Sequence, residues 1–94
     1  RRQLVALVER VAAAAPAVRR AVETAWFEDR ALRIEYPKNP YATAPRLVRI
    51  RNLVFDRALT LLNCVDLELG EDRQFRLDRI VAATALAPGA LPSA

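Results

Sequence analysis

Arginine carries nearly all the positive charge of this chain. Of 15 basic residues, only Lys38 is not an arginine. The guanidinium is a planar fork that bonds phosphate or carboxylate through two parallel N–H groups, and it stacks on bases. The spacing adds to this. Residues 33–57 hold six basic side chains against Glu35 and Asp56, a local net of +4. Residues 66–79 hold three arginines against five acids, a local net of −2. The overall charge of +4 is therefore polarised. A basic stretch beside an acidic one suits a directed binding face better than general coating of duplex DNA.

Other chemistries are removed by what the sequence lacks. There is no His, so imidazole metal sites and His-based triads are excluded. Cys64 is the single cysteine and has no partner for an intrachain disulfide. It reads as a small buried hydrophobe, and a lone thiol fits a cytoplasmic location. Glu68, Glu71 and Asp72 cluster in or beside a turn, where solvated acids are expected. Gly70 and Gly89 are too few and too far apart for a phosphate-cradling loop. The reading is a non-enzymatic domain, with no cofactor and no metal. No apolar run approaches the length of a membrane span, so no membrane partner is expected. A chain that opens Arg1-Arg2 and contains no Met reads as a domain cut from a longer protein, with a covalently linked N-terminal domain as partner.

Two kinds of element must position these residues. Residues 1–30 show helical spacing. Leu4, Leu7, Val8, Val11 and Ala15 share one face, and Pro16 then starts a second helix or kinks a single one. Val18, Ala21, Val22, Ala25 and Trp26 form its inward face, and Trp26 and Phe27 are expected to seal it to the rest. From Ala31 the period becomes two. Leu32, Ile34 and Tyr36 alternate with Arg33 and Glu35 in a first strand. Pro37 to Pro45, with three prolines, reads as a loop. A second strand covers Leu47–Phe55. Its alternation fails near Asn52 and calls for a β-bulge. Further strands follow at Leu59–Leu67, Arg73–Leu77 and Val81–Leu86, with a turn at Gly70-Glu71-Asp72 and an exit turn at Asp78-Arg79-Ile80. The fold class is α+β: an N-terminal helix or helices (residues 1–30), a small five-stranded β-barrel (31–86) and a frayed tail (87–94).

The segment Asp72-Arg73-Gln74-Phe75-Arg76-Leu77-Asp78-Arg79-Ile80 resembles the closing signature of WYL domains. Leu32-Arg33-Ile34-Glu35-Tyr36 is similar to the first strand of that family, and Arg46-Leu47-Val48-Arg49-Ile50 to the strand led by an arginine. Two departures stand out. The Trp-Tyr-Leu tripeptide is replaced by Leu59-Thr60-Leu61, and the usual proline of the second strand by Ile50. The resemblance implies an Sm-like (SH3-type) barrel that senses ligands in bacterial transcription regulators, or that is attached to nucleases and helicases. It implies single-stranded nucleic acid or a nucleotide as ligand. It implies Arg73 and Arg76 as first binding residues, with Arg46 and Tyr36 next and Arg33 beside them.

The residues themselves leave plainer readings open. Arg49, Arg51 and Arg57 read best as a solvated strand face. Tyr36 reads as a core edge before a platform for stacking. Asp78 and Arg79 read as an ion pair in the exit turn. If Phe75 and Leu77 are core, alternation turns Arg76 to solvent, free to bind. Two rivals to the sensor reading remain: a module for dimerisation or partner docking, with a second copy of the chain as partner, and an accessory domain of a nuclease or helicase.

Overall fold

The computed structural model describes residues 16–90. The apolar face at Leu4–Ala15, and any break ahead of Pro16, lie outside the described residues. A helix, α1 (residues 16–27), is followed by five strands and one short 3-10 turn. The strands are β1 (Leu32–Asn39), β2 (Ala42–Asp56), β3 (Leu59–Asp66), β4 (Asp72–Arg76) and β5 (Ala82–Ala85), with the 3-10 turn at Leu77–Arg79.

The inward face expected of α1 is the one observed. Val18, Val22 and Ala25 are buried, and Ala21 and Trp26 pack against them. Phe27 is a correction. It is 79% exposed, because it lies about 100° around the helix from Trp26 and misses the sheet. The helix ends in a left-handed residue, Asp29, with φ 51°. Arg30 N–H donates back to the Ala25 carbonyl at 2.9 Å, which is the Schellman pattern. Arg49 on β2 fixes this cap, donating to the Asp29 carbonyl at 2.9 Å and to its carboxylate at 2.6 Å. Arg49 is thus a clamp between helix and sheet, and not only a solvated side chain.

All five strands form one antiparallel sheet in the order β4-β3-β2-β1-β5. The expected Pro37–Pro45 loop is corrected to a hairpin, with β1 and β2 paired through most of it and Pro40-Tyr41 as the turn. Both in-strand prolines sit where no ladder N–H is needed. Glu35 directs its carbonyl toward Val81, so Pro37, two residues on, faces the same side, beyond the last β5 pairing. Leu47 directs its carbonyl toward Leu67, so Pro45 faces that side, past the end of the β3 pairing.

The bulge lies where the alternation fails. The β2–β3 register shifts between Ile50 and Asn52, which leaves Arg51 as the extra residue and brings Leu53 opposite Leu62. One face of the sheet then carries Leu32, Ile34, Val48, Ile50, Leu62, Cys64 and Phe75, all buried with the α1 residues and Ile80 in a single core. The sheet curls strongly enough for β1 to reach β4 across the core. The Tyr36 and Phe75 rings meet edge to face at 4.9 Å. The hydrogen-bonded ladder itself does not return from β4 to β5. The observed architecture is therefore α+β, with one described helix on an open, curled five-stranded sheet; the ladder does not close into the small Sm-like barrel that was expected.

Candidate functional site: a cationic groove across the curl

The core face of the sheet changes character toward one end. On β1 the face runs Leu32, Ile34, Tyr36. On β2 the partner of Ile34 is Arg46 and the partner of Tyr36 is Ala44. On β4 the partner of Cys64 is Arg73, and Phe75 follows on the same face. Strand alternation thus places Tyr36, Arg46 and Arg73 at the rim of the apolar core. They line one groove of ≈ 210 Å³, together with Lys38, Gln74 and Phe75.

Each side chain there is held differently. Tyr36 is fixed by its Phe75 contact and by its hydroxyl, which accepts the Arg76 backbone N–H at 3.1 Å. The Arg79 guanidinium carbon lies 5.8 Å from the Tyr36 ring centre, within cation–π range. Arg46 is one-third exposed. Its Nη1 is 3.8 Å from Oδ2 of Asp66, close enough for charge balance but too far for a hydrogen bond. Asp66 is 2% exposed, and its Oδ1 accepts the backbone N–H groups of Glu68 and Leu69, each at 2.9 Å. A buried carboxylate that ties down the β3–β4 turn therefore lies close to Arg46, which lines the groove without hydrogen-bonding to it. Arg73 donates to Glu71 at 3.1 Å through Nη2, while its Nε is buried without a hydrogen-bond partner.

The structure brings together three of the five residues singled out from the sequence: Tyr36, Arg46 and Arg73. It separates the other two. Arg33 is exposed on the opposite face of β1, across from Leu47. Arg76 does turn away from the core face, as alternation predicts, but it is not free. Its Nε and Nη2 form a two-pronged bond to Asp78 at 3.0 and 2.7 Å. This bond raises the Arg76 pKa above the ordinary arginine value and lowers Asp78 below the ordinary carboxylate value. Asp78 is thus the partner of Arg76, and Arg79 turns to Tyr36 instead. Lys38 and Gln74 were missed. The prolines hid the strand, and Lys38 is the unpaired residue where the β1–β2 register shifts between Pro37 and Asn39, so alternation alone does not place it beside Tyr36 at the groove. Buried Cys64 is inert as expected, its thiol pKa pushed up to about 12 by burial. Among the described residues no group of three or more His, Cys, Asp or Glu side chains is placed to hold a metal ion. No described helix is long and apolar enough to cross a membrane.

The fold has a counterpart among solved structures. Proteasome accessory factor B/C (PafBC) of Arthrobacter aurescens superposes with a TM-score of 0.62 at 22% sequence identity, over 89% of this chain and 12% of that one. The likeness is one of fold, and this chain spans about an eighth of the length of that protein. No curated protein matches the sequence. The family model of the WYL domain matches residues 17–85, from the second described residue of α1 to the end of β5, and the chain belongs to that family.

Proposed function

We propose that this chain is a ligand-sensing, regulatory domain of a larger transcription regulator. It binds single-stranded nucleic acid or a nucleotide through phosphate held in the Tyr36–Arg46–Arg73 groove. The observation that carries this is the convergence of two arginines and Lys38 on one groove, where Arg46 has no hydrogen bond to its buried counter-charge Asp66 and Arg73 is paired through Nη2 with Glu71. An arginine left without a hydrogen bond to its counter-charge keeps its fork for an incoming anion. Membership of the WYL family and the fold shared with PafBC support the regulatory role and the reading as one part of a longer protein.

The geometry also suggests how binding is transmitted. Arg46 lies on β2 and Arg73 on β4, with β3 between them in the ladder. A phosphate gripped by both favours a tighter curl of the β2–β3–β4 half of the sheet. A ligand with higher affinity for the more curled form shifts that equilibrium, and a neighbouring domain or second copy of the chain reads the shift. The test is fluorescence anisotropy with short single-stranded oligonucleotides at several salt concentrations. Arg46→Ala/Arg73→Ala should weaken binding and make the log–log salt slope shallower by roughly 0.7 for each phosphate that is no longer neutralised. Arg33→Ala and Arg76→Ala should bind as the wild type does. Equal binding by wild type and the double variant, or no binding by the wild type, removes the groove as the site.

A further inference from the structure

A second cavity of ≈ 300 Å³, at the small end of the range for ligand pockets, lies on the other face of the sheet. Arg51, Asn63, Asp72 and Gln74 are among its walls, and Arg73 and Gln74 line both this cavity and the cationic groove. The two depressions thus flank β4, an edge strand of the sheet, and meet at the same pair of residues.

This outer depression mixes charged walls (Arg51, Asp72 and Arg73) with two amides, Asn63 and Gln74, beside Cys64. The cross-strand register aligns Asn52, Asn63 and Gln74 on adjacent strands. Their amides are chained: Gln74 Nε2 donates to Asn63 Oδ1 at 2.8 Å, and Asn63 Nδ2 donates to Asn52 Oδ1 at 2.8 Å. The chain holds the Gln74 side chain against β3 and leaves its amide an acceptor lone pair and at least one N–H without a hydrogen-bond partner among the described residues. Arg51, the extra residue of the bulge, borders the cavity with its guanidinium 3.6 Å from the Asp72 carboxylate.

From this we infer that the outer cavity is a base-reading subsite, in which Gln74, oriented by Asn63, pairs with the donor–acceptor edge of an adenine whose phosphate sits in the groove across β4. An amide carbonyl and N–H side by side match the N6 donor and N7 acceptor of adenine. The inference rests on the phosphate reading of the groove and adds base identity to it. Gln74 determines specificity, and Asn63 is the positioning residue that holds it.

The experiment compares binding of dA, dT, dC and dG homopolymer oligonucleotides of equal length to the 94-residue chain. Adenine should be preferred by about tenfold, the scale of one good bidentate base contact. Gln74→Ala and Asn63→Ala should each bring the ratio of dA to dT affinity toward one, with thermal melts confirming that both variants fold. Adenosine monophosphate should compete better than thymidine monophosphate against the wild type, a readout that needs no variant. Equal affinity for the four homopolymers, or a preference unchanged in both variants, overturns the subsite and leaves the phosphate groove standing. Failure of every oligonucleotide to bind the wild type overturns both.

Discussion

At the scale of single residues, the basic side chains divide by the acid each one meets. Arg49 meets Asp29 and clamps the helix cap. Arg76 meets Asp78 and is held within its own turn. Arg46 meets Asp66 only at 3.8 Å, beyond hydrogen-bond reach, and stays one-third exposed. The motif Arg73–Ile80 therefore contains one arginine of the groove and one whose partner lies two residues away. The Arg76–Asp78 pair carries its own pH signature. The Asp78 pKa is lowered, first by the Arg76 hydrogen bond, so its contribution to stability is present above the unfolded carboxylate pKa of about 3.9. It is lost as pH falls through the lower folded value. Both groups are largely exposed, so the effect is small. The expected outcome is a slightly lower Tm for Asp78→Asn than for wild type at pH 7. The difference should vanish below the ordinary carboxylate range. A difference that persists at pH 2 would show that the pair does not cause it.

At the scale of elements, β2 and β3 test how the bulge assigns faces. Leu61 and Leu62 are neighbours in sequence and chemically identical. The register set by Arg51 places Leu62 in the core opposite Leu53 and Phe75, and Leu61 on the outer face opposite Val54 and Arg76. Leu62→Ala should cost about 2–5 kcal/mol through reduced burial and the cavity it leaves. Leu61→Ala should cost about 1 kcal/mol or less, as a half-exposed position. Denaturant melts decide, and equal destabilisation would contradict the face assignment. The same elements show what was legible beforehand. The break in alternation at Asn52 revealed the bulge, because a phase error in a period of two has few other causes. The Pro37–Pro45 stretch concealed its hairpin, because proline only reports a missing N–H. Whether that N–H was needed depends on where β3 and β5 end. Tyr36, Arg46 and Arg73 could be named from strand period and family likeness. Their meeting in one groove could not, since it follows from the curl of the sheet across several strands. The Asn52–Asn63–Gln74 chain was equally hidden, because it exists only once the three-strand register is fixed.

At the scale of the whole molecule, helix and sheet share a single core. Val18, Val22 and Ala25 lie in the same cluster as Leu32, Ile34, Val48, Leu62, Cys64 and Phe75. A small sheet with one apolar face exposed would be marginal by itself, and α1 covers that face. The Arg49–Asp29 clamp adds a second tie between the two layers. Helix and sheet bury their apolar faces in this one shared cluster, so the two layers are expected to unfold together. Unfolding should be a single cooperative transition. Trp26 packs at the helix–sheet junction and reports on that interface through its fluorescence. Far-UV circular dichroism reports on the backbone of both layers. The two probes should give coincident midpoints in urea. Val22→Asp, which buries a charge at a position 2% exposed, should move both curves together or abolish the fold. A fluorescence transition well ahead of the dichroism transition would mean that α1 detaches from a sheet that survives alone. In that case the groove would have to be assigned to the sheet without help from the helix. Coincident curves mean that the groove, the amide chain and the helix cap belong to one folding unit, so a ligand that ties Arg46 to Arg73 raises the stability of all of it.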